Sequence, residues 1–281
     1  MRNGVFPAVP VDQMPADILL NVLPAHSRLR EALQPTNSGN VIHTADDVGP
    51  VTYLGSDGID TLVVDYLLPL NSPSPFETQA FIALDAALAG LPYDIRGSQL
   101  DGSTITNVEN LTVNVGSGYS RLWFYGDDAA NVITLNVAAG SSGSKTVLAH
   151  GGDDTIISNN LSSFVTDLDG MQGNDRIIAT GAANIHDSGL VAGASGDDEF
   201  VLGSGAQFIN FYGAHIGNNS VTHFTAGEDL LLFFGFGSPY APTVTEQGRT
   251  TTFTVYDSSG NVAGSVTVDA TNLVNGVDYF I

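Results

Sequence analysis

Four short phrases constrain this chain more than any other feature: GSDGIDTLV (Gly55 to Val63), AHGGDDTII (Ala149 to Ile157), GMQGNDRII (Gly170 to Ile178) and GASGDDEFV (Gly193 to Val201). Each has a Gly turn, an Asp, one spacer and then the start of an apolar strand. Asp154, Asp175 and Asp198 are separated by 21 and 23 residues, and Asn131, in YGDDAANVITL, stands 23 before Asp154. A period of about 22 lies inside the 20 to 50 residue window that marks stacked repeats. The expected fold is all-β, a right-handed parallel β-solenoid with one coil per repeat and two or three short strands in each coil. Its rungs would stack about 4.8 Å apart. Ile156, Ile177 and Phe200 then share one inward slot, with Val132 or Ile133 beneath them, and the Asp residues line one corner.

Charge narrows the partners. Thirty acidic against eight basic residues give a formal net charge of −22. That argues against nucleic acid and anionic membrane as partners, which need a positive surface, and makes cations the natural complement. Between Leu148 and Phe200, eight Asp and one Glu face the single Arg176. No cysteine is present, so disulfides, thiolate metal sites and Cys nucleophiles are all excluded. No stretch of 18 residues is wholly apolar, and the first twenty residues lack the apolar run of a secretory signal peptide.

Three segments follow along the chain. Residues 1–50 read as a helical cap or assembly segment, because Pro15 to Leu33 places Ile18, Leu19, Val22, Leu23, Leu29 and Leu33 at helical spacing around Pro24. Residues 51–237 read as the solenoid, interrupted by an Ala-rich run, Phe81 to Ala89, with the composition of a helix. Residues 238–281 read as a β-hairpin cap, with two alternating strands around Asp257 to Asn261.

The acidic turns suit calcium, which takes six to eight oxygens in flexible geometry. Gly permits the left-handed turns that aim carbonyls at an ion, and Asp supplies charge on a short stem. The candidate ligands are Asp60, Asp154, Asp175 and Asp198, supported by Asp57, Asp127, Asp128, Asp153 and Asp197, with Gly55, Gly58, Gly152, Gly173 and Gly196 shaping the turns. One Gly-Asp turn is ordinary; copies in phase, each followed by an apolar slot, are not. A stack of carboxylates about 5 Å apart repels itself at low dielectric, so the column is expected to need a cation. The six histidines show no HExxH, and no GxSxG occurs. His150 reads as a solvated turn residue, and Trp123, Phe124, Tyr125 and LLLFFGFG (Leu230 to Gly237) as core or end cap.

At GSDGIDTLVVDY, NVENLTV, the GDD and GND phrases and HFTAGEDLLLFFGFG, the chain resembles the RTX, or haemolysin-type, calcium-binding family of type I secreted bacterial proteins. The likeness covers residues 50 to 281. The spacing near 22, in place of a nine-residue tandem, resembles more the degenerate solenoids of bacterial surface-layer proteins. The resemblance implies calcium (Ca2+) as cofactor and the type I secretion machinery as a partner. It further implies folding outside a Gram-negative cell, in the medium or on the cell surface. The C-terminal Asp278, Tyr279, Phe280 and Ile281 resemble that family's uncleaved export signal.

About 50 residues precede the repeats, too few for a catalytic domain. The expectation is therefore no enzyme, but a structural protein that assembles with itself into a filament or surface layer, head-to-tail or as a sheet. Two other readings stay open: a calcium-stabilised adhesin for cell-surface polysaccharide, and a solenoid enzyme acting on polysaccharide through paired carboxylates.

Overall fold

Strands begin where the Gly/Asp turns end. After Asn131, Asp154, Asp175 and Asp198 come VITL, TIIS, RIIA and EFVL, rich in the β-branched and aromatic residues that favour extended backbone. In the computed structural model these open the strands Val132–Val137, Thr155–Asn160, Arg176–Thr180 and Glu199–Leu202, paired in parallel in that order. The structure describes residues 28–31, 40–44, 51–64, 79–84, 94–95, 103–119, 121–188, 196–213, 215–236 and 241–281.

Between these strands the chain crosses to a second parallel sheet, formed by Arg121–Tyr125, Lys145–Leu148, Thr166–Asp169, Ala183–Ser188, Gln207–Tyr212 and Leu230–Phe234. Each coil thus gives one strand to each sheet. Eleven described strands form the longer sheet and eight the shorter. The architecture is all-β, with no helix among the described residues, and is compatible with a β-solenoid.

The pleat decides which residues stack inside. Ile133, Ile156, Ile177 and Phe200 are in register on the longer sheet and buried. Of the two candidates beneath Ile156, Ile133 is inside at 1 % exposure and Val132 outside at 40 %. The shorter sheet adds the column Phe124, Val147, Leu168, Ile185, Ile209 and Leu231. Burying each large aliphatic or aromatic contributes about 1.5–3 kcal/mol, and this sets the register.

Buried polar side chains secure the turns between the sheets. Lys145 Nζ donates to the carbonyls of Ser142 (2.6 Å) and Gly143 (2.8 Å). Asn160 Nδ2 donates to the carbonyls of Phe164 (2.7 Å) and Ala182 (2.9 Å), and Gln207 Nε2 to that of Gly181 (2.6 Å). Each is a buried donor that finds its acceptor in a turn carbonyl, as a polar group away from water requires.

Two helix expectations need correction. Within Pro15 to Leu33, Arg28–Glu31 is a strand parallel to Val51–Leu54 in a separate four-stranded sheet; the rest of that run lies outside the described residues. Gln79–Ala83 is likewise a strand, the first of the shorter sheet, while 85–89 lie outside the described residues. There Ile82 is fully buried in register with Phe124, and Phe81 stacks on Trp123. Cross-strand packing outweighs the helix propensity of the alanines.

The expected hairpin is present as Thr250–Tyr256 and Val262–Val268, antiparallel, with Thr243–Gln247 added at the edge. It continues the longer sheet, because Val262–Val268 pairs in parallel with Gly217–Thr222. Tyr279–Phe280 does the same for the shorter sheet beside Leu230–Phe234. Phe211, Phe233, Phe253 and Tyr279 fill this end, with successive ring centroids 5.0, 5.1 and 4.9 Å apart.

Candidate metal centre

Asp154, Asp175 and Asp198 occupy one corner of three successive coils, at 2 %, 3 % and 8 % exposure. Backbone N–H groups link them along the stack. The N–H of Asn131 donates to Asp154 Oδ1 (2.7 Å), that of Asp154 to Asp175 Oδ1 (2.9 Å), that of Asp175 to Asp198 Oδ1 (2.9 Å) and that of Asp198 to Asn219 Oδ1 (2.8 Å). The steps are 23, 21, 23 and 21 residues, the period read from the sequence.

A second rail runs beside the first in the opposite sense, one residue earlier and exposed. The N–H of Asn174 donates back to Asp153 Oδ1 (2.9 Å), that of Asp197 to Asn174 Oδ1 (2.9 Å) and that of Asn218 to Asp197 Oδ1 (2.7 Å). Each corner dipeptide is therefore tied both to the coil before it and to the coil after it. Local side-chain to backbone bonding is the habit of Asp and Asn that favours them in turns; here it acts between coils.

Electrostatics divide the corner. Burial, with the nearby charges of Asp175, Asp127 and Asp153, pushes Asp154 up to about 8 against the Asn131 hydrogen bond. Burial raises Asp175 to about 6 and Asp198 to about 7. Asp154 Oδ2 is buried and has no hydrogen-bond partner. Asp60 differs: burial opposes its charge, but hydrogen bonds from Ser56 and Asn40 outweigh it and hold the carboxyl below its ordinary value. The N–H of Asn40 donates to its Oδ1 at 2.7 Å, and the Ser56 hydroxyl to its Oδ2 at 2.9 Å.

The other candidates lie at the rim. Asp57, Asp128, Asp153 and Asp197 are exposed. Asp127 accepts from the Ala129 N–H (2.8 Å) and Asn131 Nδ2 (3.0 Å). Gly152 and Gly173 have φ of +104° and +129°, the left-handed turns foreseen; Gly55 and Gly196 instead sit where a Cβ would strike the carbonyls of Asn107 and Gly173. Gly58 donates its N–H to Ser56 Oγ (3.1 Å). His150, also left-handed at φ +81°, is half-buried, and its Nε2 is buried without a partner. Among the described residues no group of three or more His, Asp or Glu side chains converges as a metal cage.

Several contributors carried no Gly/Asp signal. Asn218 and Asn219 end both rails, and the Asx-Asx pair one period after Asp197-Asp198 is the trace that marks them. Glu109 Oε2 accepts from the Asp60 N–H (2.6 Å), standing in for an Asp in the inner rail. Asp187 faces inward from the shorter sheet at 2 % exposure. Its Oδ2 accepts from Asn219 Nδ2 (2.5 Å), its Oδ1 has no partner, and burial with the Asp198 charge pushes it up to about 9.

Asp278 closes the stack as a cap, accepting the N–H of Gly227 at Oδ1 (2.7 Å) and of Val274 at Oδ2 (2.8 Å), while Phe280 and Ile281 point outward at 47 % and 41 % exposure. No protein-family model matches this chain, and no curated protein matches it either.

Proposed function

We propose that the chain is a secreted, calcium-binding structural protein. In this reading it is a right-handed, RTX-like solenoid that folds outside a Gram-negative cell and associates with itself into a filament or layer. One observation carries the calcium reading: Asp154 Oδ2 is buried, lacks a hydrogen-bond partner and is surrounded by the charges of Asp175, Asp127 and Asp153. Such an oxygen calls for a cation or a proton. Carboxylate donors without nitrogen or sulfur suit a hard ion such as calcium. Asp153, Asp154, Asp175, Asp197 and Asp198 would supply carboxylates at successive points along the corner, since no three of them converge on one ion, with carbonyls of the Gly turns as the further ligands. Bound calcium supplies positive charge that relieves the repulsion along the corner. The chain's own contribution is the pair of rails, which hold these residues in phase.

Affinities of about 10⁻⁴ to 10⁻³ M, usual for extracellular modules, would keep the protein open in the cell and closed outside it. The test is thermal unfolding in chelator, in millimolar magnesium and in millimolar calcium at equal ionic strength. Calcium alone should raise Tm; three coincident curves would remove calcium from the account.

A second reading has one observation in its favour. Phe81 and Trp123 stack face to face, with centroids 4.9 Å apart, on the outer side of the shorter sheet. Outward aromatic surface suits a glycan and keeps the adhesin in view.

A further inference from the structure

We propose that the outer face of the longer sheet is where two copies of this chain pair, a surface that rests on the self-association reading above and gives it a location. The register stacks Thr112, Thr134, Ile157, Ile178, Val201 and Thr222 into one outward column. Every member is β-branched, so six consecutive coils present a straight ridge of stiff side chains carrying methyl groups. One flank is locked by an amide ladder: Asn159 Nδ2 donates to Asn136 Oδ1 (2.8 Å) and Asn136 Nδ2 to Asn114 Oδ1 (2.9 Å). On the other flank Val132 stands 40 % exposed.

Charge selects the occupant. In a chain of net charge −22, the only charged outward residues within the longer-sheet strands from Asn110–Val115 to Gly217–Thr222 are Arg176 and Glu199, with the exposed Asp153 and Asp197 bordering the face at the preceding turn. These two neutralise each other through Arg176 Nε and Glu199 Oε2, 2.6 Å apart. The outer face of the shorter sheet carries Arg121, Asp167 and Asp169, with no ion pair of the Arg176–Glu199 kind between acid and base among the described residues. Two identical acidic bodies repel least where opposite charges cancel, as Arg176 and Glu199 do on this face.

The size is sufficient. Six rungs about 4.8 Å apart, with two or three outward positions per strand about 6.7 Å apart, make a patch of roughly 30 by 20 Å. Pairing two such patches hides on the order of 1,200 Å², the lower limit of stable interfaces. The same patch on both copies meets itself about a two-fold axis, with the two sheets about 10 Å apart.

The experiment is light scattering across a concentration series in millimolar calcium. It compares the full chain with Ile157→Lys and Ile178→Lys, and with Thr146→Lys on the opposite sheet as a charge-matched control; circular dichroism checks each fold. The chain and the control should pair, and the two ridge variants should be monomers of unchanged spectrum. Should either ridge variant unfold, Thr134→Lys replaces it at an outward hydroxyl. A chain that is monomeric throughout would overturn both this face and self-association. Ridge variants that associate as well as the parent would overturn the face alone, and the calcium-dependent Tm stands or falls apart from either.

Discussion

The backbone N–H of Asp175 donates to Oδ1 of Asp198, 2.9 Å away and 23 residues later. What this bond requires is an acceptor oxygen, and an amide provides one as well as a carboxylate does. The chain itself makes that exchange at the end of the rail, where Asn219 Oδ1 accepts from Asp198. Asp175→Asn should therefore keep the metal-free fold, or strengthen it by removing a buried charge. Asp175→Ala leaves the N–H of Asp154 without its acceptor and should cost about 1–3 kcal/mol. Urea unfolding in chelator separates the two. On the proposed calcium reading the order should change in calcium, because the Asn variant would lose a ligand charge and with it part of the rise in Tm which that reading expects. An Asn variant as damaged as the Ala variant in chelator would show that the charge, and not the hydrogen bond, holds the corner.

The buried carboxyls also fix a pH dependence. A carboxyl whose pKa is higher in the folded chain keeps its proton where the unfolded chain has lost it, so folding grows less favourable as pH rises. The unfolded value is about 4, and the folded values are about 6 for Asp175, 7 for Asp198 and 8 for Asp154. Metal-free protein should accordingly lose stability steadily between about pH 4 and pH 8. Calorimetry in chelator should give a lower Tm at pH 8 than at pH 5, with a flatter slope when Asp154, Asp175 and Asp198 are all replaced by Asn. A Tm that climbs over this interval would contradict the buried column.

Much of this arrangement was legible in the sequence, for a physical reason. A coil that returns every 22 residues or so must place the same kind of residue at each corner, so phase survives in the text. Hence the period, the inward slot of Ile156, Ile177 and Phe200 and the corner column could all be read. What could not be read was direction. Nothing in GGDD says that Asp154 turns inward while Asp153 stays at the surface, because the pleat alone assigns the two faces. Lys145 and Gln207 were silent for a similar reason, since long polar side chains are usually exposed and these are buried only because turn carbonyls await them. The run at Phe81 read as helix because its alanines are good helix formers, whereas its neighbours in space, Phe124 and Trp123, lie some forty residues away in sequence.

Gly170 is tied to the same corner. A Cβ built there would fall on Oδ2 of Asp175, and its next nearest neighbours are atoms of that same side chain. Gly170→Ala should cost about 1–3 kcal/mol by overpacking. Because the collision is with one side chain, the loss should couple to it: Gly170→Ala combined with Asp175→Ala should be less damaging than the sum of the two. A double-mutant cycle by urea unfolding measures the coupling, and strict additivity would place the strain in the backbone instead.

The C-terminal residues lead to the last prediction. Asp278 is 3 % exposed and accepts two N–H groups, one from Gly227 and one from Val274, while Tyr279 packs edge-on against Phe253 with ring centroids 4.9 Å apart. In the folded chain Asp278 and Tyr279 are part of the final rung. Asp278→Ala frees two donors at the closed end, and Tyr279→Ala opens the aromatic cluster. Each should lower Tm in calcium, with a cost of about 1–3 kcal/mol for the cap and about 3–5 kcal/mol for the ring. Removing Phe280 and Ile281, both largely exposed, should leave Tm nearly unchanged. If that truncation proves as harmful as Tyr279→Ala, the end of the chain is anchored by its outward residues and the cap at Asp278 is secondary.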